Sequence, residues 1–261
     1  MDSVERLLEI MQRLRDPERG CPWDRAQDWR SIVPHTLEEA YEVAEAIENG
    51  DFDSLRDELG DLLFQVVYYC QFAREEGRFD FDDVVEGICE KLVRRHPHVF
   101  GDERVEDAKS QSLAWEAHKR REREARGSGL LDGVARTLPA LSRARKLQQR
   151  AAAVGFDWQD IDPVFAKLHE EIDELKEALE QGGPQEAVEE ELGDLLFVCV
   201  NLARHAGVDP ERALRQANRK FERRFAHVER RLREQGREPS ATPLPVMDAL
   251  WDEAKEREKK R

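Results

Sequence analysis

One heptapeptide occurs twice: Glu58-Leu59-Gly60-Asp61-Leu62-Leu63-Phe64 is identical to Glu191-Leu192-Gly193-Asp194-Leu195-Leu196-Phe197. A chain of this kind must fold as one module used two times. Each copy sets two acids three residues apart among apolar neighbours, so on a helix the acids share one face beside a buried stripe. A second acidic cluster precedes each copy, Glu38-Glu39-Ala40-Tyr41-Glu42 and Glu170-Glu171-Ile172-Asp173-Glu174. The repeated unit is therefore EExxE followed by ExxD, and it predicts carboxylates held where two helices pack.

The repeat divides the 261 residues into two modest domains. A sequence that is 39% hydrophobic, 38% charged and only 7% aromatic suits helices with narrow apolar stripes and long solvated faces, so the expected fold class is all-α. The net charge of −15 argues against a general partner in nucleic acid or anionic membrane, which a basic surface would have to bind. Four cysteines, Cys21, Cys70, Cys89 and Cys199, show no C-x-x-C pairing and read as reduced core thiols. The first residues open an amphipathic helix rather than a signal peptide, and no stretch reaches the length of a membrane span. The expectation is a soluble, cytoplasmic protein.

In chain order, Val4, Leu7, Leu8, Met11 and Leu14 define a first helix that Pro17 and Gly20 end. After the Gly20-Cys21-Pro22-Trp23-Asp24 loop, Thr36 is the expected cap of a helix bearing Glu39, Glu42 and Glu45, closed near Gly50, and Thr36-x-x-Glu39 also has the form of a capping box. Asp53 is the expected cap of the next helix, with Glu58 and Asp61, ending near Gly77. At about 1.5 Å rise per residue, Glu42 faces Glu58 and Glu39 faces Asp61 across the hairpin. Further helices are predicted over 80–95, stopped by His96-Pro97-His98, and over 110–126. The first repeat thus spans 1–126, a Gly-rich linker 127–137, and the second repeat 138–261. Helix 138–154 leads to Gly155-Phe156-Asp157-Trp158, an echo of the Gly20 to Trp23 spacing, and Trp23 and Trp158 read as loop anchors. Asp162-Pro163 starts the helix with Glu171 and Glu174, Gly182-Gly183-Pro184 breaks it, and its partner carries Glu191 and Asp194 to about Gly207. Asp209-Pro210 opens a basic helix with Asn218, Lys220, Arg223 and Arg224, and a last helix carries Trp251 and Lys255. Lys91, Arg94 and Arg95 occupy the corresponding places in the first repeat, as do Trp115 and Lys119.

Four carboxylates crowded on a half-buried hairpin repel one another strongly unless protons or a cation intervene. Oxygen-only ligands without Cys or His at ligand spacing point to Mg²⁺, with Mn²⁺ as the alternative. Mg²⁺ commonly engages substrate phosphates, and Lys167, Lys220, Arg223 and Arg224 could neutralise a phosphate chain on its other side. Neither a P-loop nor a Rossmann fingerprint is present. The chemistry expected is metal-assisted attack of water on a phosphate anhydride, with one of the acids as general base. Gly60 and Gly193 cost about 1 kcal/mol each inside a helix relative to Ala, which points to close packing there or to close approach of a ligand. Trp251 reads either as a base-stacking surface or as a packing anchor. His96-Pro97-His98 resembles a metal site only superficially.

Taken together, the EExxE and ExxD pairs, the Gly-Cys-Pro-Trp-Asp loop, Arg94-Arg95-His96-Pro97-His98-Val99-Phe100 and Asn218-x-Lys220-Phe221-Glu222-Arg223-Arg224-Phe225 resemble the MazG family over essentially the whole chain. The resemblance implies an all-α fold of two tandem helical repeats completed by dimerisation as a homodimer. It implies Mg²⁺-dependent hydrolysis of ordinary or damaged NTPs and dNTPs to the monophosphate and pyrophosphate, in a house-cleaning or stress-related role, with activity mainly in the second repeat. By motif position it assigns Glu171, Glu174, Glu191 and Asp194 to Mg²⁺ and catalysis, with Glu39, Glu42, Glu58 and Asp61 as a second, weaker metal site. It assigns the nucleotide to Lys167, Leu168, His169, Glu170, Glu171, Glu190, Asp194, Asn218, Lys220, Phe221, Glu222, Arg223, Arg224 and Trp251. The first repeat has His35 in place of Lys167 and Cys89 in place of Asn218, so its phosphate clamp is less complete. A helical nucleotide-binding regulator, or an interaction module without turnover, stands as the alternative.

Overall fold

The computed structural model describes residues 3–101, 107, 127, 129–180, 182, 184 and 185–259. The expected helix over 110–126, with Trp115 and Lys119, lies outside the described residues. Every regular element among the described residues is helical. The chain divides into two compact units, 1–118 and 119–261.

In the first unit, α1 (Ser3–Leu14), the short α2 (Pro22–Ala26), α3 (Val33–Asn49), α4 (Phe52–Glu75), α5 (Phe81–Arg95) and the one-turn α6 (Pro97–Phe100) follow in order. The α3/α4 pair is the main packing contact of the unit, and α1 lies against α4. Helix α3 begins three residues before the expected cap. Pro34 sits in its first turn, where a missing N–H costs nothing, and Thr36 is already inside the helix. The Thr36 hydroxyl bonds back to the Ile32 carbonyl at 3.1 Å and meets the Tyr69 hydroxyl at 2.9 Å, so it ties α3 to α4 rather than forming a capping box. The cap of α4 is Asp51, whose carboxylate accepts from the Ser54 N–H at 3.1 Å, and Asp53 lies within the first turn. Between the helices Gly50 takes φ +70°, the left-handed closure that a side chain would oppose.

The core of this unit is Met11, Ile32, Val67, Tyr68 and Phe72. Asp24 is a buried polar anchor beside it. The Tyr68 hydroxyl donates to Asp24 Oδ1 at 2.8 Å, while Arg15 donates to the Asp24 and Gln27 carbonyls and pairs bidentately with Glu75 at 2.8 and 2.7 Å. Burial, followed by the Asp24 contact, holds the Tyr68 phenol above its ordinary range. Trp23, expected to anchor the loop, is 53% exposed, and Trp158 is 42% exposed. Trp29 anchors instead, stacking on Tyr69 and donating to Glu76 at 2.7 Å. The cysteine expectation also narrows. All four thiols are free, but only Cys70 is buried, and Cys89 and Cys199 are exposed.

In the second unit, α7 (Ala140–Ala152), α8 (Asp162–Glu180), α9 (Gln185–His205), α10 (Pro210–Glu234) and α11 (Leu244–Lys259) include a second hairpin, α8/α9, and a second pair, α10/α11. Helix α7 braces both. Gln148 Nε2 donates to the Phe197 carbonyl of α9 at 2.8 Å, and Arg145 pairs with Asp209, the residue that caps α10. Val228, Leu232 and Leu250 form the core under α10 and α11, with Met247 and Trp251 packed against it.

Candidate metal centre

Each hairpin brings its acids together as the spacing predicts. Glu39, Glu58 and Asp61 offer oxygens that all lie within 4.8 Å of one another, and so do Glu171, Glu191 and Asp194. These two are the acid, histidine or cysteine clusters of ligand-like spacing among the described residues, and His96 with His98 forms no third one. The fourth acid of each set is drawn in electrostatically. The charge of Glu42 acts on both Glu39 and Glu58, and the charge of Glu191 acts on Glu174.

The two clusters carry their charge differently. In the first, burial and then the charges of Asp61 and Glu42 push the Glu39 carboxyl above the usual carboxylate range. Burial, then Glu42 and Asp61, does the same to Glu58. The residue one turn before Glu39 is His35, which lies 3.8 Å from Glu38. In the second, Lys167 places its ammonium 2.7 Å from Glu171 and 2.6 Å from Glu170, and Glu171 is only 4% exposed. These two carboxylates hold the Lys167 ammonium in its charged form well beyond the ordinary lysine range. Glu174 is still pushed up, by burial and by Glu171, Glu170 and Glu191 against the opposing pull of Lys167. Carboxylates that resist ionisation side by side, with several oxygens facing one point, suit a hard divalent cation.

The residues between and around the acids are open. A Cβ at Gly60 or Gly193 would meet nothing within 4 Å, so close packing among the described residues does not account for either glycine. On α8 Leu168 is half-buried and His169 exposed, its Nδ1 2.7 Å from the Phe165 carbonyl, while Glu190 is exposed on α9.

The basic set lies on the other helix pair of the same unit. Asn218, Lys220, Phe221 and Glu222 are exposed on α10. Arg223 and Arg224 are held by one carboxylate of α11, Glu258, at 3.4 and 2.8 Å. Trp251 packs onto the α10/α11 core, with Phe221 5.3 Å away between ring centres and the Arg224 guanidinium 5.6 Å over its ring. It therefore serves as a packing anchor, and it presents an aromatic and cationic surface beside Phe221. The sequence reading missed Glu258, and it missed His227 and Arg230, which follow Arg223 at four and seven residues and so continue its face of α10. That spacing was the available signal.

The MazG nucleotide pyrophosphohydrolase domain matches this sequence twice, at residues 27–100 and 159–229. The chain belongs to the MazG family. It is thus a hydrolase of phosphoric anhydrides in nucleotides, and a purely structural interaction module is set aside. It is 53% identical to a nucleoside triphosphate pyrophosphohydrolase of Escherichia coli (strain K12) over 99% of both chains. It is 46% identical to the nucleoside triphosphate pyrophosphohydrolase/pyrophosphatase MazG of Thermotoga maritima over 96% of this chain and 95% of that one. A Bacillus subtilis protein, YabN, shares 45% identity over 96% of this chain, which spans 51% of YabN. Both hairpins fall inside the matched segments. Helix α11, with Trp251 and Glu258, falls outside them. No helix among the described residues is long and apolar enough to cross a membrane.

Proposed function

We propose that this MazG protein cleaves nucleoside and deoxynucleoside triphosphates between the α and β phosphates, releasing the monophosphate and pyrophosphate, and that the second repeat performs the reaction. The supporting observation is the pairing, on one hairpin, of three convergent acids, with Glu174 under their charge, and a cation one turn away. Glu171, Glu174, Glu191 and Asp194 would hold Mg²⁺, with Mn²⁺ as the alternative that the same oxygen ligands suit. Bound there, Mg²⁺ supplies Lewis acidity toward the phosphoryl oxygens and a water of lowered pKa.

The chain's own residues do the rest. Lys167 already neutralises Glu170 and Glu171 and is the nearest ammonium for a phosphate oxygen arriving at the cluster. One of the four acids takes the proton of the attacking water. Leu168, His169 and Glu190 border the acids on α8 and α9, the open side of Gly193 leaves room for the substrate, and Asn218, Lys220, Phe221, Glu222, Arg223, Arg224 and Trp251 take its remainder. The first repeat, with His35 at the Lys167 position, serves as a weaker metal site. A homodimer is proposed because the hairpins leave Leu59, Leu63, Leu192 and Leu196 between 42% and 50% exposed, an apolar surface that a second copy would cover. Light scattering on the full chain tests it, and a monomer at working concentration removes it.

The direct experiment is product analysis after incubation with a panel of NTPs and dNTPs and Mg²⁺. Monophosphate with pyrophosphate is expected, abolished by EDTA. Diphosphate with orthophosphate would place the cut elsewhere and overturn the proposal.

A further inference from the structure

Beyond the acid cluster, α10 and α11 enclose an open cavity of about 680 Å³ whose charged lining is four arginines, Arg223, Arg224, Arg230 and Arg257, around His227, with Glu258 as the one acid. In a chain of net charge −15 this is a concentration of the opposite sign. Glu258 serves Arg223 and Arg224. Arg230 and Arg257 form no ion pair among the described residues. Both instead direct N–H groups at the same atom, His227 Nδ1, at 2.7 and 3.5 Å. Two donors fix Nδ1 as an acceptor and put the ring proton on Nε2, which is fully buried and lies 3.2 Å from Glu253 Oε1, off the line of a hydrogen bond. His227 itself is 6% exposed, so the ring is a fixed post between the two guanidiniums. Two guanidiniums converging on one imidazole nitrogen repel each other, and the nearby acids are engaged elsewhere, Glu253 by Arg231 and Glu258 by Arg223 and Arg224. A guanidinium fork is also the group best shaped to take a phosphate on two oxygens.

We infer that this cavity is a binding site for a pyrophosphate-type polyanion, gripped by Arg230 and Arg257 around His227, with Arg223 and Arg224 at its mouth. The volume accommodates a phosphate chain with space for a group attached to it. The choice of anion rests on the proposed reaction, which handles phosphate chains and releases pyrophosphate; the site itself rests on the lining.

Isothermal titration of inorganic pyrophosphate into the full-length protein in EDTA tests the site with the acid cluster out of play. The wild type is expected to bind. Arg230→Gln with Arg257→Gln should weaken binding at least tenfold, while Glu171→Gln leaves it within twofold. A wild type that takes up no pyrophosphate, or a double variant that binds as well as wild type, overturns the inference. Melting in the same buffer separates binding from packing. Removing the repelling pair should leave the unliganded melting temperature unchanged or higher, and pyrophosphate should raise that of the wild type alone. Should the double variant not fold, Arg257→Gln alone, near the end of the last helix, carries the same test with a severalfold loss. A non-hydrolysable triphosphate separates the sources of the anion. Competition with pyrophosphate places the nucleotide's own tail in the cavity, and simultaneous binding assigns it to the free anion. Absence of nucleotide hydrolysis with pyrophosphate binding intact would remove the proposed reaction and leave this site standing.

Discussion

The two hairpins carry the same heptapeptide and the same four acids, yet they differ in the residue one turn before the acids. Lys167 sits one turn before Glu171 and pairs with it at 2.7 Å, whereas His35, one turn before Glu39, turns to Glu38 and leaves Glu39 and Glu58 pushed above their ordinary range. The same division runs through the basic helices. Pro97 stands where Ala226 stands, so α5 stops at Arg95 and a new short helix starts, while α10 continues through Arg230 to Glu234. Proline lacks the N–H that a continuing helix needs and disfavours helical backbone in the residue before it; His96 accordingly takes φ −124° and ψ 56°. A repeat with the same acids but without that ammonium and with a shorter basic helix is proposed to hold a metal and to grip phosphate less well. On the proposed function, one site is equipped for a phosphate chain and the other for the ion alone.

The strongest break in that comparison comes from removing ligands. Glu171→Ala or Asp194→Ala should lower the Mg²⁺-dependent turnover number roughly a hundredfold or more, and Glu39→Ala should change it less than about twofold; equal losses in steady-state assays would dissolve the ranking. Lys167→Met should raise the nucleotide KM on the order of tenfold, the effect of one charge-assisted phosphate contact. An unchanged KM would return Lys167 to a purely structural role.

Stability sharpens the comparison with opposite signs. A carboxyl whose folded pKa lies above its unfolded value binds more protons when folded, so its native charge destabilises the chain at neutral pH and the penalty fades as pH falls through the raised value. Glu39→Gln in EDTA at pH 7 should therefore raise the melting temperature by roughly 2–4 °C, and Glu171→Gln, which deprives Lys167 of its partner, should not. His35→Lys should act as Glu39→Gln does, by supplying the missing cation. In EDTA the wild type should melt highest on the acid side of neutrality. Further down, Glu75, held below the ordinary range by Arg15 against the penalty of its burial, contributes stability that is lost as pH falls through its lowered value. The smallest effect belongs to the heptapeptide glycines. Gly60→Ala and Gly193→Ala each have open space for the methyl and should gain up to about 1 kcal/mol in EDTA, with activity lost only at Gly193, read by calorimetry and assay together.

What could be read from the residues was whatever recurs with helical period. The hairpins, their facing acids and the capped start of α10 at Asp209-Pro210 follow from spacing and cap chemistry alone. The errors came where two local signals compete. Thr36 has the form of a cap, but Pro34 starts the helix earlier; Asp53 has the form of a cap, but Asp51 is nearer the Gly50 closure. Trp23 was the conspicuous loop aromatic, yet neighbouring Asp24 is the buried member, because Tyr68 and Arg15, 44 and 9 residues away, supply its partners. Glu258 and Arg257 escaped notice for the same reason: their meaning depends on α11 lying against α10, a contact that no period in either helix announces.

The most direct test of the division between the repeats is the affinity of a non-hydrolysable triphosphate with and without Mg²⁺, measured by calorimetry in Glu39→Gln and Glu171→Gln full-length proteins. Glu39→Gln should retain the wild-type enhancement of nucleotide binding by Mg²⁺, and Glu171→Gln should lose it. An enhancement that survives Glu171→Gln, or vanishes with Glu39→Gln, would contradict the assignment of the nucleotide to the second repeat.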